Sequence, residues 1–226
     1  MLNLNRLKKS EILWLWRHRC RHNHRYLEHL NCFIEEKPEI SPLAEHVGYL
    51  DIETTGLNAN WDYIISYAII DENDKVYGRT AKRNEVLSPD ILDKKLMSEF
   101  VKDINKFDRV VVYWGKDRRH DLPFLRTRCL KWHLDFPMYR DIYVTDVYDI
   151  VKAKLRLHRN RMENACEFLG IPAKEHRLDA EMWQKAKLGV KEALDYVWKH
   201  NYEDVVSLKK LHETLERFSA SRKISI

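Results

Sequence analysis

The chain has 226 residues, 44% hydrophobic and 33% charged, a mixture that supplies one well-buried domain with a small appendage and excludes disorder as the main state. Its longest apolar runs, such as residues 110–114, are about five residues against the roughly 20 of a membrane helix; with Arg6, Lys8 and Lys9 and no apolar stretch ending in small residues behind them a secretory signal is not expected, and a cytoplasmic protein without a membrane partner is. The net charge of +5 is concentrated, because residues 1–32 hold seven Lys/Arg against two Glu while the other 33 basic and 33 acidic residues cancel.

The first segment, residues 1–45, is basic and rich in Cys and His. Residues 18–32 read HRCRHNHRYLEHLNC and place His18, Cys20, His22, His24, His29 and Cys32 within fifteen positions. Sulfur and imidazole at short spacing suggest one structural Zn²⁺, held by Cys20 and Cys32 with two of His22, His24 and His29. The alternative is a basic amphipathic helix over residues 10–25 whose Ile12, Leu13 and Trp16 dock on the main domain while the histidines face water. Residues 35–46, with two prolines and four glutamates, mark the boundary to a second domain, 46–226.

In that domain VGYLDIE, WDYIISYAII and KVYGRT predict three consecutive strands in an antiparallel meander. A helix over 91–107 follows, with Ser88 as cap and Pro89 at its first position. A strand at 109–114, a helix at 122–132, a strand at 139–144 and an almost wholly helical remainder, 145–218, complete the order. Strands in hairpins and then alternating with helices predict an α/β fold with a mixed sheet.

Four carboxylates carry the chemistry. Strand alternation puts Asp51 and Glu53 of YLDIETTGL on one face, with Leu50 and Ile52 on the other. Two like charges about 6 to 7 Å apart on a central strand call for a cation, and oxygen ligands suit Mg²⁺ or Mn²⁺. Asp121 lies between a strand end and a helix start, where α/β sheets hold ligands; it also fits the role of a helix cap. Asp204 is predicted on a late helix, one turn after His200 and on the same face. Cys129 and Cys166 fall in apolar helical stripes and read as core. A second cationic tract, Lys152, Lys154, Arg156, Arg159 and Arg161 with His158 among them, has no acid between residues 150 and 162 and points to an anionic polymer.

The order of LDIETTGL, then YWG with DLPFLRTR, then RMENACEFLGIP and HNYEDVVSLKKL resembles the DEDD superfamily of 3′-to-5′ exonucleases, which have the ribonuclease H-like fold. The resemblance covers residues 47–211. It implies a ribonuclease H-like mixed β-sheet flanked by helices, with Asp51, Glu53, Asp121 and Asp204 as ligands of two Mg²⁺ or Mn²⁺. It also implies Thr54 and Leu57 near the terminal nucleotide and single-stranded DNA or RNA 3′ ends as substrate. Where the family has an aromatic or amide residue near its third acid, this chain has Arg118, Arg119 and His120, which suggests an electrostatic grip from Arg118 and Arg119. The family's base is a Tyr four residues before the last Asp or a His five residues before it; here His200 stands at the tyrosine spacing and Lys199 at the histidine spacing. An imidazole with a reference pKa of about 6.5 suits a general base near neutral pH. A structure-specific endonuclease on the same scaffold and a silent nucleic-acid-binding module are the alternatives.

Overall fold

The computed structural model describes residues 9–37, 45–139, 141–172 and 178–218, and the chain divides into two compact units, Met1–His46 and Val47–Ile226. In the first, α1 (Lys9–Arg17) leads through a tight turn to α2 (Leu30–Glu36). The turn is bracketed by an isolated antiparallel bridge between Arg19 and Arg25. The helix envisaged over 10–25 is therefore corrected: it stops at Arg17, and Asn23 turns the chain with a φ of 63°, a left-handed conformation that Asn tolerates. Leu15, Cys20, Tyr26, Cys32 and Phe33 form a small core, with Trp14, Leu27 and Leu30 packed on it.

The second unit is built on a five-stranded sheet of order β3-β2-β1-β4-β5. Strands β1 (Val47–Thr54), β2 (Ile64–Asp71) and β3 (Val76–Thr80) form the expected antiparallel meander. Strands β4 (Arg109–Val112) and β5 (Tyr143–Asp146) then add in parallel beside β1. β2 is buried along its whole length, as an apolar run flanked by partners on both sides should be. One sheet face packs Leu50, Ile52, Ile64, Val110 and Val112 against α4 (Lys94–Ile104) and α5 (Asp121–Lys131). The other packs Tyr49, Ala68, Ile70 and Val111 against α6 (Val147–Lys154), α7 (Met162–Phe168) and the 25-residue α9 (Lys191–Leu215). Two covered faces make a three-layer α/β/α unit. The short α3 (Arg83–Val86) and α8 (Ala180–Lys187) complete the α-helices among the described residues, and a 3-10 turn, Glu216–Phe218, follows α9.

Three element boundaries depart from the sequence reading. The helix expected from residue 91 begins at Lys94. Ser88 does not cap it, since its Oγ donates to Asn84 O at 2.6 Å, and Ile91 is exposed. The cause is Asp93, fully buried beside Arg128, whose Nε and Nη2 donate to it at 2.7 and 2.6 Å. Trp132 Nε1 and Ile64 N donate to the same carboxylate, so the buried charge is fully hydrogen-bonded. The strand expected at 139–144 lies at 143–146, where Arg109 pairs with Tyr143. The helical remainder is interrupted by β5 and by residues 155–161, which are not helical.

Candidate active site

Leu50 and Ile52 are buried in one core while Tyr49, Asp51 and Glu53 face α9, so β1 alternates as its sequence requires. Its register shifts between Glu53 and Thr54, and a β-bulge of this kind bends a strand and re-aims the side chains at its end. Against this end lies one turn of α9. His200 Nε2 is 3.4 Å from Glu53 Oε1 and 3.4 Å from Asp204 Oδ2, and donor atoms of Glu53, His200 and Asp204 all lie within 4.8 Å of one another. Between them on the helix, Asn201 Nδ2 donates to Asp51 Oδ2 at 2.6 Å, while Ser66 Oγ donates to Asn201 Oδ1 at 2.8 Å.

Asp121 is the first residue of α5 and is buried. Its side chain does not act as the helix cap, and Oδ2 is buried with no hydrogen-bond partner. Burial, with Asp146 and Asp204 adding negative charge nearby, pushes this carboxyl up to about 8. Gly115 is essential beside it, because a Cβ there would overlap Asp121 Oδ2. An orphaned buried carboxylate oxygen among further acids is the environment a divalent cation relieves. Oxygen donors with one imidazole and no thiolate suit a hard ion such as Mg²⁺ or Mn²⁺.

The loop carrying Asp121 is held by a residue that the sequence reading passed over. Asp146, at the end of β5, accepts from the backbone N–H groups of Trp114, Gly115 and Lys116 at 2.9, 3.1 and 3.2 Å, and from Tyr148 N as the cap of α6. Trp114 takes a φ of 59° under this constraint, a rare conformation for a bulky side chain and one that clusters at functional sites.

Other candidates fall as follows. Thr54 Oγ1 donates to Gly56 O at 2.7 Å and lies 3.3 Å from His120 Nε2; with the hydroxyl proton spent on Gly56, His120 is the donor in that contact. Burial lowers the His120 pKa, keeping this second imidazole neutral beside Asp121. Leu57 is 77% exposed and Trp61 83%, on a loop that Asp62 braces through Thr55 Oγ1 and Asn58 N. Arg118 is exposed. Arg119 is not: it pairs with Asp146 and Asp149 and stacks on Tyr148, which makes it a brace for the loop. Asn201 was equally invisible as a functional residue, although it lies three positions before Asp204 and so shares its helix face.

In the separate N-terminal unit, Cys20, His22, His29 and Cys32 converge, with one donor atom from each within 4.8 Å of the others. His24 lies outside that cluster and meets His29, Nδ1 to Nδ1, at 3.4 Å.

Residues 48–216 match the family RNase_H_2 of the RNase H superfamily. The chain belongs to this family. The expected fold, a ribonuclease H-like mixed sheet flanked by helices, is thereby established. Among solved structures, this RNase_H_2 member is similar to the family B DNA polymerase from the hyperthermophilic archaeon Pyrobaculum calidifontis. The TM-score is 0.61 at 18% identity, over 78% of this chain and 25% of that one. The likeness is one of fold, and the chain spans about a quarter of that polymerase. A comparison with curated proteins gives no match. No helix among the described residues is long and apolar enough to cross a membrane.

Proposed function

We propose that this chain is a metal-dependent 3′-to-5′ exonuclease of DEDD type, hydrolysing phosphodiester bonds at single-stranded or frayed DNA or RNA ends. The observation that carries the reading is the convergence on a single turn of α9: His200 and Asp204 meet Glu53, and Asn201 meets Asp51, with the orphaned carboxylate of Asp121 close enough to Asp204 to feel its charge. Asp51, Glu53, Asp121 and Asp204 would hold two divalent cations, Mg²⁺ or Mn²⁺. When bound, such ions stabilise the charge that develops on a phosphodiester during in-line displacement.

The chain's own residues supply the rest. With Nε2 turned to the carboxylates of Glu53 and Asp204 at 3.4 Å, the His200 ring nitrogen left to accept the proton of the attacking water is Nδ1. Beside Thr54, on the bulged end of β1, the exposed Leu57 and Trp61 offer the terminal nucleotide an apolar platform on which a base can stack. Arg118 offers a phosphate contact. Lys152, Lys154, Arg156, His158, Arg159 and Arg161 are all exposed. Tyr113 OH donates to Asn160 O at 2.8 Å, pinning this tract next to the Trp114–Gly115 turn. A polyanion leaving the carboxylates on that side would meet these cationic side chains.

The test is digestion of 5′-labelled DNA and RNA oligonucleotides with Mg²⁺ or Mn²⁺. A ladder shortening stepwise from the 3′ end is expected, with circular single strands resistant and with activity lost in EDTA, in Asp51→Ala and in Asp204→Ala. Cleavage of circles would instead assign an endonuclease, and full activity in Asp51→Ala would remove the centre proposed here.

A further inference from the structure

The N-terminal unit has a chemistry of its own. Its turn and its second helix each deliver two soft donors. Cys20 N donates to His24 O at 2.9 Å and Asn23 N to Cys20 O at 2.8 Å, which curls residues 20–24 so that Cys20 and His22 project from one tight loop. His29 is the N-cap residue of α2, and Cys32 N donates back to His29 O at 3.1 Å, so the second pair shares the first helical turn. The result is Cys-x-His followed, after six residues, by His-x₂-Cys.

The pairs interlock. Cys20 Sγ lies 3.5 Å from His29 Nδ1, and Cys32 Sγ 3.2 Å from His22 Nδ1. Zinc bonds of about 2.3 Å to sulfur and about 2.0 to 2.1 Å to imidazole nitrogen give a tetrahedral S–N edge of about 3.5 Å. The observed separations match that edge. A disulfide would use two of the four donors and leave both imidazoles without a role; in the structure both cysteines are free thiols.

We propose that Cys20, His22, His29 and Cys32 bind one structural Zn²⁺, with both histidines ligating through Nδ1 and His24 outside the coordination sphere. Binding displaces the two thiol protons, so two thiolates, two neutral imidazoles and one Zn²⁺ sum to zero charge, which is what a site with both sulfurs buried can hold. The ion serves a unit that has few other resources, since two of its five buried core residues are the cysteines themselves. It also decides which arginines are displayed. Arg21 pairs with Glu35 and Glu36, Arg25 lies over Trp16, and Arg19 Nη1 donates to Asn23 O at 2.6 Å within the turn; Arg17 is exposed at the end of α1. The proposal is independent of the nuclease reading.

The test is metal analysis of the full chain purified without added metal, paired with Co²⁺ titration of protein stripped of metal. About one zinc per chain and the visible absorption bands of tetrahedral S₂N₂ cobalt are expected. His24→Ala, Cys129→Ala and Asp51→Ala should keep the zinc, while Cys20→Ser, His29→Ala and Cys32→Ser should lose most of it. Should the cysteine variants not fold, the cobalt spectrum of the wild-type chain decides alone. Less than about 0.1 zinc per chain with no tetrahedral cobalt bands, a Cys20–Cys32 disulfide in the purified protein, or loss of zinc in His24→Ala would each overturn the assignment.

Discussion

Asn201 donates to Asp51 at 2.6 Å while its carbonyl oxygen accepts from Ser66 at 2.8 Å, so a metal-ligand candidate on β1 is oriented by an amide on α9 that is itself locked by β2. An amide cannot swap its two ends without losing both bonds, which leaves Asp51 one orientation. Groups that orient ligands in this way typically contribute 10- to 100-fold in metal affinity or activity. Asn201→Ala should raise the Mn²⁺ concentration for half-maximal cleavage by about that factor, with activity recovered at saturating metal. An unchanged metal titration would reduce Asn201 to a packing residue.

His200→Ala should lower turnover by about 10² or more and leave oligonucleotide affinity nearly unchanged, because the imidazole acts on the water and not on the strand. A parental rate would transfer the role of base to Tyr202 or Lys199, both exposed on the same helix.

Asp121 makes stability in the absence of metal depend on pH. Its carboxyl is pushed up to about 8 in the folded chain, from 3.8, so between those values the folded state holds a proton that the unfolded state has released. Stability must then fall as pH rises through that window, and the loss is complete above about pH 8. In EDTA, Asp121→Asn should raise the melting temperature at pH 8 and change it little near pH 4. Mn²⁺ should raise the melting temperature of the wild type and not that of the variant. Equal melting shifts at both pH values would contradict the buried, unrelieved carboxylate.

Much of this site was legible in the sequence, and the parts that were not share a cause. β1 could be read because alternation is local: Leu50 and Ile52 enter one core and Asp51 and Glu53 face away from it. His200 and Asp204 could be read because helical spacing is local as well. Asn201 and Asp146 act through partners 150 and about 30 residues away, and no periodicity records such a contact. The start of α4 failed for the same reason. Ser88-Pro89 carries a local start signal, but Asp93 is drawn into the core by Arg128, 35 residues on, and the helix begins after it. In the N-terminal unit the donors were evident from composition, whereas the choice of His22 and His29 over His24 depends on a turn that the spacing alone does not reveal.

The basic tract should be read out by salt. Replacing Arg156, Arg159 and Arg161 by Gln should weaken binding of a long single strand and reduce the slope of log K against log salt by roughly 2, at about 0.7 per phosphate contact. Cleavage of a dinucleotide, whose single phosphodiester is the one at the carboxylates, should be little affected. An unchanged slope would make these residues a solvated face.

The centre joins β1 to α9, across 150 positions between Asp51 and Asn201. During synthesis, then, the chain carries half a centre over the 150 positions that separate the two. Asp51 and Glu53 emerge early, but nothing can complete them until α9 has left the ribosome and docked, and pairing at such separation is a late event in folding. A chain stopped anywhere before Lys191 lacks His200 and Asp204 altogether. On the proposed function, nascent and truncated copies would have no complete centre with which to cut nucleic acid.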